Sequence, residues 1–380
     1  MHNNETFCVL PFIHTVLNPY DSVSQKTNAL PCCRYSHTGT ERYESMDPIN
    51  KSMTWIKLQE QVLNGEKPIE CSHCWRDEHQ GIPSYRMSML EEFDDLVTTK
   101  QYREKKLLFL ELMFSNTCNL TCRMCGSTFS SKWNALNEYL GSLGLEDVTT
   151  NTPNITFSDW GKLDLSHLTK LKIMGGEPFY QKGALSLLTH LSDTGVLKNI
   201  SLTIPTNCTV GLTERWMELL TEAKSASIIL SVDAIGPLND YIREGSIWSD
   251  VESNIYEFHE FASTFSKKVK LQFNSVATAY NVNVLNEIQN YFSKRFQWHH
   301  YIDIAYYPAV LDISLLPDHI KEKLIQKKLP EKILEYMNSK RYSTDNFNKL
   351  KYFTNALDEY HSKNLKDYNS EMYEWIFDEK

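Results

Sequence analysis

The feature that most constrains the fold is the alternation of short apolar runs with longer helical patterns between residues 107 and 308. Apolar runs that lack a polar side are typical of strands buried on both faces, and such strands pair in parallel beneath covering helices. Six β/α units over about 200 residues favour a curved, partial (β/α)6 barrel of the TIM type over a closed eight-stranded one. The predicted strands are LLFLELMF (107–114), KLKIMGG (170–176), ISLTIPTN (200–207), SIILSVDA (227–234), KLQFNSVAT (270–278) and YIDIAYYP (301–308).

Composition narrows the class of protein further. The chain has 380 residues, 41% of them hydrophobic, so it can build a large core, and its net charge of −9 works against nonspecific binding of nucleic acid. No apolar run is long enough to cross a membrane, and MHNNETFCVLPF lacks the layout of a signal peptide. We therefore expect a cytoplasmic protein, in which the nine cysteines are metal ligands or reactive thiols rather than disulfides.

Chemically suggestive residues follow the predicted strands at their carboxyl ends. These segments are SNTCNLTCRMCG (115–126), GGEP (175–178), TNC (206–208), SVD (231–233) and SVAT (275–278). In parallel sheets of this kind, ligands bind where the carboxyl ends of the strands meet. The sequence therefore predicts one site at that edge.

Three cysteines of the first segment, Cys118, Cys122 and Cys125, fall within eight positions. Three thiolates at such short spacings can hold three irons of a cubane cluster, and the fourth iron then keeps an open position for a ligand. A structural zinc site and an inert cluster of reduced thiols are the alternatives for this loop.

With its C-x3-C-x2-C loop after the first barrel strand and GGEP after the second, the chain resembles the radical S-adenosylmethionine superfamily. The resemblance implies a 4Fe-4S cluster, reductive cleavage of S-adenosylmethionine to a 5′-deoxyadenosyl radical, and hydrogen abstraction from a substrate. It also implies an external one-electron donor such as flavodoxin or ferredoxin. Met124 stands where the family commonly has an aromatic residue beside the adenine, and a thioether can pack there too.

The resemblance also assigns cofactor-binding roles at the other strand ends. The implied residues are Gly175, Gly176 and Glu177 at the methionine amino group, Asn207, Ser231 and Asp233 near the ribose and methionine, Val276 at the adenine, and Arg243 at the carboxylate. Glycines suit a place where backbone approaches a ligand closely, and an arginine can pair with a carboxylate in a bidentate fork.

The N-terminal region holds five cysteines, in CVLPFIHT, LPCCRY and TWIKLQEQVLNGEKPIECSHCW, and resembles the SPASM/twitch module that binds an auxiliary 4Fe-4S cluster. In most relatives that module follows the barrel, whereas here it precedes it. The implied ligands are Cys8, Cys32, Cys71 and Cys74, with Cys33 packed inside as a small hydrophobe. A zinc knuckle that uses His73 and His79 is the alternative.

We expect three regions: the auxiliary-cluster module at 1–95, the barrel at 105–310 and a helical C-terminal segment at 311–380. LPDHIKEKLIQKKLPEKILEYM and NKLKYFTNALDEYHSKNLKDY predict two or three amphipathic helices. These helices could close the open side of the barrel, form a partner surface or protect its edge.

Cys208, at the end of the third predicted strand where relatives often have glycine, is the candidate catalytic residue, as a hydrogen donor or through a thioether. Its alternative is a buried small hydrophobe. Tyr306 and Tyr307 are predicted either to contact substrate or to plug the barrel.

Relatives with SPASM/twitch modules mostly modify peptides or oxidise sugar-like alcohols, and an auxiliary cluster can accept the second electron of an oxidation. We therefore predict a radical S-adenosylmethionine oxidoreductase that oxidises or crosslinks a peptide or sugar-like small molecule. The alternatives are an epimerase that uses Cys208 as hydrogen donor, and a non-catalytic metal-bearing binding module. No membrane partner is expected, and nucleic acid is disfavoured for lack of basic-aromatic interleaving.

Overall fold

A computed structural model describes residues 5–18, 28–36, 47–79, 81, 83–145, 159–305, 308–339 and 342–378. Within these ranges one sheet of eight strands runs through the molecule in the order β2-β1-β3-β4-β5-β6-β7-β8, and all neighbours are parallel except β1 and β2. The strands are β1 (His14–Asn18), β2 (Asn28–Leu30), β3 (Phe109–Met113), β4 (Lys170–Met174), β5 (Ser201–Thr206), β6 (Ser225–Ser231), β7 (Val269–Ala277) and β8 (His300–Ile304).

Helices connect the parallel strands and also build both ends of the chain. They are α1 (Leu10–Ile13), α2 (Pro48–Lys51), α3 (Met53–Leu63), α4 (Ser72–His79), α5 (Tyr85–Glu92), α6 (Asp94–Thr98), α7 (Trp133–Ser142), α8 (Lys182–Asp193), α9 (Glu214–Glu222), α10 (Pro237–Ile242), α11 (Trp248–Thr264), α12 (Leu285–Phe296), α13 (Asp318–Ile325), α14 (Glu331–Met337), α15 (Thr344–His361), α16 (Leu365–Tyr368) and α17 (Ser370–Phe377). Hydroxyl caps start three of these described helices: Ser84 accepts the Met87 N–H before α5, Thr213 accepts the Trp216 N–H before α9, and Ser343 accepts the Asn346 N–H before α15.

The predicted strands β3 to β8 and the helices between them are confirmed, but the expected count of six strands was too low. β1 pairs in parallel with β3, and β2 pairs with β1, so residues of the N-terminal region extend the barrel sheet. The segment HTVLN was missed because it is short and half polar, and its strand character depends on pairing with β3. The expected boundaries of the three regions stay predictions.

The two faces of the sheet differ. Leu110 and Leu112 of β3 and Leu171 and Ile173 of β4 are fully buried in the main apolar core, together with the inner faces of the connecting helices. The alternate positions of β4, β5 and β6 are only half-buried and line the concave face. Side chains therefore alternate along these strands between a face covered by helices and an open, more polar face.

The C-terminal segment forms five helices in the described part of the chain, more than the two or three expected. Their apolar residues belong to the main core, among them Ile320, Phe353, Leu357 and Met372. The segment therefore folds onto the barrel and is not a detached appendage. No helix among the described residues is long and apolar enough to cross a membrane.

Candidate functional site

The segments predicted to meet at the carboxyl edge of the sheet do meet there. The Gly176 N–H donates to the Ser115 carbonyl at 3.0 Å, and the Glu177 N–H donates to the Thr117 carbonyl at 3.0 Å. From the end of β5, the Asn207 side-chain amide lies 3.8 Å from the Cys118 sulfur. The predicted convergence of these strand ends is therefore confirmed, while the ligand each residue would hold stays a prediction.

Gly175 and Gly176 are required by the close approach of the cysteine loop to the end of β4. Gly175 has φ +109°, and a Cβ placed on Gly176 would lie 2.0 Å from the Thr117 carbonyl oxygen and 3.0 Å from the Cys118 nitrogen. Only glycine avoids both the strain and the overlap. These two residues thus fix the backbone that leads into the first cysteine.

Glu177 is fully buried behind the loop. Its carboxylate accepts hydrogen bonds from the Asn207 N–H at 2.7 Å, the Thr206 hydroxyl at 2.9 Å and the Phe179 N–H at 3.1 Å. Burial raises the pKa of Glu177 to about 7, against the lowering effect of those three hydrogen bonds. The side chain therefore ties the end of β4 to the end of β5.

Arg243 and Asp233 form a buried ion pair near the cysteine loop, with Nε 2.7 Å from Oδ2. The other carboxylate oxygen of Asp233 accepts the Val276 N–H at 2.7 Å. Burial raises the pKa of Asp233, although the charge of Arg243 opposes the shift. Asp233 thus joins the ends of β6 and β7 and also holds the side chain of Arg243, while the ligand that Arg243 would bind stays a prediction.

The three loop thiols are withdrawn from solvent: Cys122 is buried, and Cys118 and Cys125 are half-buried. Burial raises the pKa of all three thiols, that of Cys125 to about 12. Thiolates are soft ligands suited to iron–sulfur clusters, and a bound metal would deprotonate them. The donor set at this edge therefore fits a cluster held by three cysteines.

Cys208 is also fully buried, within the apolar core, and has φ +63°. Its sulfur lies 3.8 Å from the Thr206 carbonyl, to which the thiol donates, and burial raises its pKa above the ordinary range of a thiol. The left-handed backbone agrees with a position that glycine commonly occupies. Tyr306 and Tyr307 lie outside the described residues.

The four N-terminal cysteines named as ligands line one small cavity, which they share with Trp75 and Arg86. Burial raises the pKa of Cys8 and of Cys71 to about 12. Neither histidine of the zinc alternative is among the described residues that line this cavity. The cavity therefore fits the all-cysteine ligand set better than a mixed Cys/His set.

One prediction for this module was wrong. Cys33 is exposed rather than packed inside, while Cys32 lines the cavity. The reason is local: the two cysteines enter a turn, in which the Tyr35 N–H donates to the Cys32 carbonyl at 3.1 Å, and this turn leaves Cys32 half-buried at the cavity and Cys33 exposed.

Within the described ranges, no three His, Cys, Asp or Glu side chains are arranged around a single ion position. A cubane cluster spreads its cysteine ligands over its separate irons. The kind of metal therefore stays a prediction at both cysteine sites.

Sequence reasoning missed an ionic cluster on the concave face. Glu111 is fully buried, and its carboxylate lies 3.1 Å from the Lys172 ammonium, 3.4 Å from the His14 ring and 3.3 Å from the Tyr85 hydroxyl. Burial raises the pKa of Glu111, but the hydrogen bond from His14 and the charge of Lys172 bring it well below the usual range. A charged residue inside the apolar run LLFLELMF was the available signal.

Comparisons with known proteins find limited similarity. No family model matches the chain. The GTP 3′,8-cyclase of Alkaliphilus oremlandii (strain OhILAs) is 24% identical over 172 residues, which are 45% of this chain and 48% of that protein. The chain thus spans about half the length of the curated relative that it matches. This match supports the resemblance to the radical S-adenosylmethionine superfamily and leaves the reaction and the substrate undetermined.

Solved structures with some similarity include anSMEcpe with bound AdoMet, at 20% identity and a TM-score of 0.40, covering 62% of this chain and 61% of that one. Streptococcus suis SuiB bound to the precursor peptide SuiA has 16% identity and a TM-score of 0.37, over 79% and 69% of the chains. The radical S-adenosylmethionine methyltransferase TsrM from Kitasatospora setae, with cobalamin and a [4Fe-4S] cluster bound, has 12% identity and a TM-score of 0.33, over 54% and 38%. With TM-scores below 0.5, these structures carry no argument for this chain.

Proposed function

We propose that this chain is a radical S-adenosylmethionine enzyme with two cysteine-held iron–sulfur clusters. The observation that supports this most is the meeting of the Cys118–Cys125 loop with Gly176, Glu177 and Asn207 at the carboxyl edge of a parallel sheet. The cysteine spacing alone would also suit a zinc site or a cluster of reduced thiols. The position of the loop at the ligand-binding edge of the expected fold is a second argument, which does not depend on that spacing.

In this proposal Cys118, Cys122 and Cys125 hold one 4Fe-4S cluster. Such a cluster, with one iron free of protein ligands, supplies the electron that cleaves S-adenosylmethionine to a 5′-deoxyadenosyl radical. The chain holds the three thiolates away from water and fixes the approach of the loop to β4 through Gly175 and Gly176. Arg243, paired with Asp233, presents a buried positive charge that suits a carboxylate.

The cavity lined by Cys8, Cys32, Cys71 and Cys74 is proposed to hold the auxiliary cluster. Arg86 fixes its surroundings, because its guanidinium forms two hydrogen bonds with Glu78, at 2.9 and 2.6 Å, and donates to the Phe7 carbonyl at 2.7 Å. Phe7 directly precedes Cys8, so this network positions the first ligand. A second redox centre suits the removal of two electrons from a substrate, and we therefore propose oxidation or crosslinking.

The substrate class, a peptide or a sugar-like small molecule, rests on the resemblance to SPASM/twitch enzymes. The buried thiol of Cys208, hydrogen-bonded to Thr206, supports a packing role over the hydrogen-donor role that epimerisation would need. The proposal also places the enzyme in the cytoplasm, with flavodoxin or ferredoxin as its electron donor.

Metal analysis of protein purified without oxygen tests the proposal. We expect about eight irons per chain, falling to about four in a Cys118/Cys122/Cys125→Ala variant and to about four in a Cys71/Cys74→Ala variant. Cys32 and Cys33 can be compared in the same way. Of these two, only Cys32 lines the cavity, so Cys33→Ala is the matched control for a Cys32→Ala variant. Under reducing conditions the wild type should release 5′-deoxyadenosine, and the loop variant should not.

Two results would contradict parts of the proposal. About four irons and one zinc per chain would make the N-terminal module a structural zinc domain and remove auxiliary-cluster oxidation. Unchanged iron in the loop variant would overturn the assignment of the Cys118–Cys125 loop. A protein that binds iron but never cleaves S-adenosylmethionine would be the non-catalytic binding module.

A further inference from the structure

A buried arginine lies inside the cysteine loop. Arg123, between Cys122 and Cys125, has no exposed surface, and its Nη1 is 2.8 Å from Asp358 Oδ1 of α15. Its Nε donates to the Tyr241 carbonyl at 2.8 Å, and its guanidinium stacks 3.6 Å from the centre of the Tyr241 ring. The positive charge is therefore balanced by a helix more than two hundred positions away in the chain.

A second ion pair links the same two parts of the molecule. The Lys363 ammonium, just after α15, lies 2.9 Å from the Glu244 carboxylate and donates to the Asp240 carbonyl at 2.9 Å. The Glu244 carbonyl in turn accepts the Thr121 N–H of the cysteine loop at 2.9 Å. The C-terminal segment thus reaches both sides of Cys122, through Arg123 and through Thr121.

α15 is itself held firmly in place. Asp358 also accepts the Leu365 N–H at 2.8 Å, which joins α15 to the start of α16. One turn earlier, the Thr354 and Tyr280 hydroxyls are hydrogen-bonded at 3.0 Å, and both residues are fully buried. Tyr280 follows β7, so the helix is fixed to the barrel independently of Arg123.

We propose that α15 and the residues just after it clamp the cysteine loop through two ion pairs, Arg123–Asp358 and Lys363–Glu244, with Asp358 as a positioning residue for the metal centre. A buried ion pair that loses one partner leaves an uncompensated charge, which is strongly destabilising. Here the charge left behind would be that of Arg123, inside the loop that carries the ligands. The inference rests on the proposed function only for the identity of the bound group.

The first test uses metal-free protein. Asp358→Asn keeps the shape of the side chain and removes its charge. Asp345→Asn is the matched control, since Asp345 lies on the same helix, is largely exposed and pairs across one turn with Lys349, at 3.3 Å. We expect alkylation of Cys122 and Cys125 to become about tenfold faster in Asp358→Asn, the factor that ~1.4 kcal/mol of lost loop stabilisation gives. The control should match the wild type.

Equal alkylation rates in Asp358→Asn and the wild type would overturn the clamp. If Asp358→Asn does not fold, as judged by near-ultraviolet circular dichroism, Lys363→Met takes its place, because it breaks the second link and leaves the Arg123 charge paired. Unchanged thiol reactivity in a folded Lys363→Met protein would then refute the clamp.

The second test separates charge from packing in protein reconstituted with iron. Removing an anion near a cluster stabilises its more negative, reduced form, so the midpoint potential of Asp358→Asn should become less negative than that of the wild type. Asp358→Glu restores the charge and should return the potential toward the wild-type value. A potential that follows side-chain size instead of charge would refute the positioning role. Wild-type protein whose loop takes up no iron would refute the proposed function, while the alkylation result would still decide the clamp.

Discussion

A methyl group added at Gly176 should displace the backbone that positions the proposed metal centre. A Cβ there would lie 2.0 Å from the Thr117 carbonyl oxygen, whereas ordinary contact begins at 3.4 Å. Relief of the overlap in Gly176→Ala needs a shift of about 1.4 Å (3.4 − 2.0) in backbone that leads directly to Cys118. That shift would stretch the Gly176–Ser115 and Glu177–Thr117 hydrogen bonds, both 3.0 Å long.

The expected cost combines overpacking, about 1–3 kcal/mol, with the weakening of two buried hydrogen bonds, each worth about 1 kcal/mol. We therefore expect Gly176→Ala to lose about 2–4 kcal/mol of unfolding free energy, with a reconstituted iron content close to that of the loop-cysteine variant. Urea unfolding of the metal-free protein and iron analysis after reconstitution measure the two effects separately.

Gly126→Ala is the matched control, because Gly126 directly follows Cys125 and a Cβ there has nothing within 4 Å. It should keep both the stability and the iron of the wild type. If Gly176→Ala also keeps both, the contact between β4 and the cysteine loop does not position the ligands, and the steric argument fails.

Two further predictions concern buried ionisable groups. The pKa of Glu177 is raised by burial from 4.5 to about 7, so the native state keeps a proton that the unfolded chain releases, and stability should fall by up to about 3 kcal/mol as the pH rises from about 4.5 through about 7. Glu177→Gln should remove this slope in urea unfolding of metal-free protein at pH 5 and pH 8; an unchanged slope would mean that other groups cause it. Cys208→Ala should lose about 1 kcal/mol of stability, as expected for a small buried side chain, and keep the rate of 5′-deoxyadenosine release. A large loss of turnover in a folded Cys208→Ala protein would instead restore the hydrogen-donor role.

The sequence was informative where the pattern is local. Continuous apolar runs predicted β3 to β8, although β4 to β7 bury only alternate positions and not both faces as expected. The placement of Cys118, Gly176 and Asn207 at strand ends followed from the parallel topology. β1 could not be predicted, because HTVLN owes its strand character to β3, more than ninety residues later in the chain. The exposed position of Cys33 was equally hidden, because two adjacent cysteines look alike until their backbone directions are known.

The contacts that sequence reasoning missed share one physical property, which is that a buried charged side chain meets partners distant in the chain. Arg123 and Asp358 are each ordinary polar residues in the sequence, and only the tertiary fold makes their pairing necessary, because the Arg123 charge has no access to bulk water. The same holds for Glu111, whose partners His14 and Lys172 come from the strands on either side of it. Buried charge must be compensated wherever the fold places it. In this chain, buried charges lie in the loop that carries the cysteines and on the concave face of the sheet. The electrostatic environment of the proposed chemistry is therefore set by residues that no local motif contains.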